Sequence, residues 1–159
     1  MSKYIIIDSF KRNAENLLTQ LDDSNTGNLI IDSSQFESVA EIFEVFSNNI
    51  KTENTKIILV NADTKMKNSD QKILDLVLWI RCKNESFNPI VVYSTSTLQA
   101  ILRKQPENYF LISQGCLFKQ ATTISNDISE IKALKPVTEL ESLKPFIKPK
   151  VDEILSANK

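Results

Sequence analysis

Five short apolar runs in this chain each end on a residue able to do chemistry. Tyr4-Ile5-Ile6-Ile7 ends at Asp8-Ser9, Leu29-Ile30-Ile31 at Asp32, and Ile57-Ile58-Leu59-Val60 at Asn61-Ala62-Asp63. Ile90-Val91-Val92-Tyr93 ends at Ser94-Thr95, and Cys116-Leu117-Phe118 at Lys119. Clustered carboxylates can hold a divalent cation or accept a group, hydroxyls can hold an anion, and a lysine can neutralise one. Most other chemistry is absent from the composition. The 159 residues include no histidine, which removes Ser-His-Asp and Cys-His pairs and any His-ligated zinc site. The two glycines, Gly27 and Gly115, are too few and too far apart for a glycine-rich phosphate cradle. Cys82 and Cys116 can form neither a Cys₄ site nor a disulfide framework, and they read as inert buried thiols.

The residues between the runs carry helical spacing. Ala14, Leu17, Leu18 and Leu21 recur at i, i+3, i+4 and i+7 and predict a helix over 11–22. Ser34 and Glu37 fit a capping box that opens a helix with an apolar face of Phe36, Val39, Ala40, Phe43 and Phe46. Ile73, Leu74, Val77 and Ile80 mark a third helix, with Trp79 as packing. Leu98, Ile101 and Leu102 mark a fourth, bounded by Pro106. Ile124, Ile128 and Ile131 suit a fifth. The apolar runs are continuous rather than alternating, as in parallel strands covered on both faces. Strand–helix alternation repeated five times predicts an α/β fold, a doubly wound five-stranded parallel sheet in a three-layer sandwich. Residues 1–134 form the expected domain, and 135–159 a C-terminal helical extension interrupted by Pro145 and Pro149.

In sheets of this kind function gathers beyond the carboxyl ends of the strands. The order Asp8-Ser9, Asn61, Ser94, Lys119 around such a rim resembles the phosphoryl-accepting site of response-regulator receiver domains, whose fold is flavodoxin-like. The resemblance spans about residues 3–134 and rests on the Tyr4–Phe10, Ile57–Asn61, Leu76–Arg81, Pro89–Ser94 and Gly115–Lys119 segments. It implies that Asp8 keeps one of two Mg²⁺-holding acids, while Ser9 replaces the other. It also implies that Asn61 stands where the family's aspartate accepts phosphate. Ser94 keeps the phosphoryl-contacting hydroxyl, and Lys119 keeps the cation. Gln120 replaces the usual proline, and the glycine usual before the third helix is missing. Ala133-Leu134-Lys135-Pro136 offers a second registration in which Lys135 is the site lysine, so the choice of Lys119 or Lys135 stays open.

An amide is no nucleophile for phosphoryl transfer, so the expectation is a pseudo-receiver. It acts by protein–protein interaction in a two-component signalling pathway and is neither an enzyme nor a Mg²⁺ site. Asp63 is the alternative acceptor or metal ligand beside Asp8. The competing readings are an atypical phospho-accepting receiver, a divalent-metal phosphotransfer or hydrolase site built on Asp8, Asp32 and Asp63, and a flavodoxin-like cofactor carrier. Smaller readings attach to the same residues: Asp8 or Ser9 as the cap of the first helix, and Asp8 with Lys119 as an ion pair. Ser94 to Thr97 is read as a helix cap. Net charge −1 argues against nucleic acid as a partner. Apolar runs this short exclude a membrane span, and the absence of an export signal points to the cytoplasm. The partner is expected to be a protein, a second copy of this chain included.

Overall fold

Ile, Val, Leu and Tyr fill the strands, and side chains of this kind suit a pleated surface covered on both faces. In the computed structural model, which describes residues 4–22, 27–50, 57–68, 72–83, 88–104 and 116–134, these runs form one sheet. The strands are β1 (Tyr4–Ile7), β2 (Leu29–Ile31), β3 (Ile57–Asn61), β4 (Ile90–Ser94) and β5 (Leu117–Gln120). All pairings are parallel, in the order β2-β1-β3-β4-β5. Every residue of β1, β3 and β4 is buried, whereas the edge strand β5 is half-buried along its length.

The helices are α1 (Lys11–Leu21), α2 (Val39–Ile50), α3 (Asp75–Lys83), α4 (Leu98–Lys104) and α5 (Ile128–Lys132). Side chains alternate across each strand, and this splits the core into two layers. Ile5, Ile7, Ile58, Val60 and Val92 face α2 and α3, with Ile101 of α4 packed at the margin. Tyr4, Ile6, Leu59, Val91 and Tyr93 face Ala14, Leu17, Leu18 and Leu21 of α1 and Ile131 of α5. The expected doubly wound three-layer sandwich is what forms. Trp79 packs on the second helix, its ring edge-on to Phe43 at 5.8 Å.

The entry to α2 differs from expectation. Asp32 accepts the Ser34 N–H at 3.0 Å and also the Ser34 hydroxyl, which closes a short 3₁₀ turn over Ser33–Gln35 and leaves Phe36 extended. The helix starts at Val39 instead. The Ser38 hydroxyl accepts the Glu41 N–H at 3.2 Å, and the Glu41 carboxylate accepts the Glu37 N–H at 2.9 Å. Of the expected apolar face, Val39 and Phe46 are buried together with Ile42, Phe36 and Phe43 pack half-buried against the core, and Ala40 is exposed. Lys135, Pro136, the Tyr109–Ile112 run and the extension 135–159 lie outside the described residues.

Candidate functional site

The chain runs from β1 to β2 on one side of the sheet, then returns to β3 on the other. The topological switch point therefore falls between β1 and β3, where ligand crevices of open α/β sheets lie. Asp8 follows β1 and Asn61 ends β3. Register places Asn61 beside Tyr93, Tyr93 beside Lys119, and Ser94 beside Gln120. The expected rim residues are thus carried by adjacent strand ends.

Asp8 is fully buried, and both of its oxygens accept hydrogen bonds. One takes the Phe10 N–H at 2.7 Å, the other the Tyr93 hydroxyl at 2.6 Å. Asp8 does not cap α1 from the N-cap position; Phe10 holds that position without a side-chain cap, and Asp8 turns the backbone one step ahead of it. Burial raises the Tyr93 phenol well above the ordinary tyrosine value, and the adjacent Asp8 charge and hydrogen bond raise it further.

Asn61 is also buried. Its side-chain oxygen accepts the Asp63 N–H at 2.8 Å, and its carbonyl accepts the Thr64 hydroxyl at 2.9 Å. This asparagine-nucleated turn brings Asp63 back over the end of β4. One Asp63 oxygen accepts the Ser94 hydroxyl. The other accepts the Thr95 N–H at 2.7 Å and the Thr95 hydroxyl at 2.9 Å. Asp63 therefore ties the β3–α3 loop to the β4–α4 loop. Thr97 caps α4, its hydroxyl accepting the Ala100 N–H at 3.1 Å, as the Ser/Thr cluster predicts.

Lys119 does not pair with Asp8. Its ammonium lies 2.6 Å from Glu130 of α5 and 3.6 Å from Asp127 in the preceding turn. Burial works against that charge, but the hydrogen bonds and charges of Glu130 and Asp127 outweigh it and hold Lys119 above the ordinary lysine value. Tyr93 sits on the strand between them and serves Asp8 with a hydroxyl in place of the expected ammonium. Ser9 is half-buried, and Asp32 is engaged with Ser34. Asp8, Asp32 and Asp63 do not converge: among the described residues no three acids or cysteines are grouped to hold a metal.

A cavity of about 420 Å³ opens at this rim. Asp8, Asn61, Asp63 and Thr95 reach it from the strand ends. Asn13, Asn16 and Gln20 line it from α1, and Leu17, Tyr93 and Ile124 supply apolar wall. Ser9, Ser94 and Lys119 are not among its lining residues. Two contributors escape a reading of strand ends alone. A tyrosine inside a buried strand needs a partner for its hydroxyl, which was a signal for Tyr93. Asn13, Asn16 and Gln20 recur at i, i+3 and i+7, which sets them on one face of α1.

No family model matches the chain, and comparison with curated proteins gives no match either. Solved structures do resemble it. A Salmonella typhimurium RcsB response regulator, described for conformational dynamism in DNA interaction, superposes with a TM-score of 0.55 at 14% identity, covering 92% of this chain and 67% of that one. The phosphorylated cyanobacterial phytochrome response regulator RcpA superposes with a TM-score of 0.51 at 13% identity, covering 83% of this chain and 90% of that one. The fold is that of a receiver domain. Within the receiver fold the rim described above occupies the carboxyl edge of the sheet, and among the described residues no helix is long and apolar enough to cross a membrane.

Proposed function

We propose that this chain is a receiver-fold signalling module that works by binding a protein partner and takes no phosphoryl group at its rim. The observation that carries the reading is Asn61 at the end of β3, with its side-chain oxygen already accepting the Asp63 N–H. Phosphoryl capture needs a carboxylate nucleophile, and a carboxamide does not substitute for it. The arrangement around Asn61 supports the same reading. Both oxygens of Asp8 are engaged by protein donors, and Lys119 is drawn to α5. Ser9 supplies a hydroxyl where a hard divalent cation favours a charged oxygen.

Binding is assigned to the α4–β5 side. There β5 is a half-buried sheet edge, and the Ala121 N–H donates to the Ser94 carbonyl at 2.7 Å, which joins that edge to the rim. Net charge −1 supports a protein partner over nucleic acid. Residues 1–134 make up the module, and 135–159 an appendage available to the same partner.

A second reading keeps Asp63 as an atypical acceptor, because its carboxylate reaches the cavity. Beryllofluoride with Mg²⁺ separates the two in amide NMR. The proposal expects the Asp63, Thr95 and Ala121 amides to keep their positions. A new set of rim resonances, abolished by Asp63→Asn, contradicts it.

A further inference from the structure

Backbone contacts fix the turn that carries Asp63, independently of its side chain. The Asn61 side-chain oxygen accepts the Asp63 N–H at 2.8 Å, and the Ala62 N–H donates to the Tyr93 carbonyl at 2.9 Å. From that turn the carboxylate crosses to the next loop, where the Ser94 hydroxyl, the Thr95 N–H and the Thr95 hydroxyl all donate to it. Three donors on two oxygens suit an ionised carboxylate, which only accepts. Hydrogen bonds to a charged acceptor are roughly twice as strong as neutral ones, and a carboxylate on a fixed turn loses little freedom in making them.

The receiving loop is bonded to two elements beyond the rim. Ser94 is fully buried, and its hydroxyl, while donating to Asp63, accepts the Ser96 N–H at 3.0 Å. Its carbonyl accepts the Ala121 N–H at 2.7 Å, which ties on the residue that follows β5. Two residues beyond Thr95, the Thr97 hydroxyl and carbonyl accept the Ala100 and Ile101 N–H groups and open α4, whose Ile101 packs against the core. A contiguous set of hydrogen bonds therefore runs from one carboxylate to the start of α4 and to the end of β5. Without the carboxylate the buried Ser94 hydroxyl loses its acceptor, and the loop loses what holds it over the β3–α3 turn.

We propose that Asp63 is a resident anion that fixes the β4–α4 loop, so that the start of α4 and the end of β5 keep one arrangement without any incoming group. The α4–β5 side then stands ready for a partner at all times, and an oxyanion that reaches Ser94 and Thr95 meets donors already taken. The inference rests on the reading that the rim takes no phosphoryl group.

The test is Asp63→Ala in the full chain, which removes the carboxylate and leaves the backbone N–H to Asn61. Amide hydrogen exchange is the measurement. Thr95 loses its own acceptor in any case, so the deciding amides are Ser96, Ala100 and Ala121, each bonded to a group other than Asp63. These three are expected to exchange about tenfold faster or more, as after loss of a charged hydrogen bond, while Ile6 in β1 and Leu18 in α1 keep their rates. Formate supplies a carboxylate without a chain and is expected to restore slow exchange saturably; chloride at equal ionic strength is not. Asp63→Asn keeps the size and loses the charge, and the same three amides are expected to speed up. Unchanged exchange at Ser96, Ala100 and Ala121 in both variants overturns the inference, as does a recovery that formate fails to give or that chloride gives equally. The beryllofluoride experiment keeps the two readings apart: such a result with a silent beryllofluoride titration removes this inference alone, whereas a beryllofluoride-bound rim removes both.

Discussion

Tyr93 and Asp8 make the most consequential contact at the scale of single residues. A buried carboxylate is costly unless donors reach it, and Tyr93 supplies one of the two that do. Tyr93→Phe keeps the ring packing and deletes that donor. It is expected to lower unfolding stability by about 1.5–3 kcal/mol, read as a shift in urea midpoint with an unchanged slope. The phenol also makes a pH prediction. Burial and the Asp8 charge raise the Tyr93 value, so the folded chain holds this proton where the unfolded chain releases it near pH ~10. The contribution is therefore complete below that pH and is lost as pH rises above it. Burial, then the charge of Asp22, raises Tyr4 in the same direction. Absorbance at alkaline pH should show both phenols titrating late, with the unfolding transition, and Tyr93→Phe should remove one of them from that step. The sequence displayed the acid but not its partner, because Tyr93 in a run of Ile and Val reads as packing until strand order brings β4 within reach of β1.

Elements were legible where burial dictated them and ambiguous where local hydrogen bonds competed. The strand runs are sheathed on both faces, and no other structure suits so many consecutive β-branched residues. The start of α2 is different. Ser34-x-x-Glu37 and Ser38-x-x-Glu41 satisfy the same capping pattern, and the choice was made by Asp32, which captures the Ser34 N–H and hydroxyl. Lys119 was legible as a strand-end cation, but its direction was not. Asp127 in the turn before α5 and Glu130 on α5 look solvated in sequence, yet the two of them hold the Lys119 ammonium. Two substitutions separate what holds α5. The acceptor in the Lys119–Glu130 pair is exposed, so Glu130→Gln is expected to cost less than about 1 kcal/mol, and less still at high salt. Ile131 is fully buried against α1 and the sheet, so Ile131→Ala is expected to cost about 2–5 kcal/mol in the same denaturation assay. Comparable costs for the two would contradict an α5 held mainly by burial.

For the whole molecule, strand order decides which residues share a site. Alternation in the sequence implied a doubly wound sheet. The sheet order β2-β1-β3-β4-β5 then puts the switch point between β1 and β3 and makes neighbours of Asp8 and Asn61 across it. The cavity above them could not be read from strand ends, because its other wall is the Asn13, Asn16 and Gln20 face of α1. Three connected features of this rim support the proposed reading: an amide ends β3, a tyrosine hydroxyl satisfies the buried acid, and the lysine pairs with α5. Asp63 spans the gap between the β3–α3 and β4–α4 loops with hydrogen bonds of its own. The most direct test is intact-mass measurement after incubation with acetyl phosphate and Mg²⁺. The account predicts an unmodified chain. A phosphoryl adduct that disappears in Asp63→Asn would contradict it and make Asp63 the acceptor.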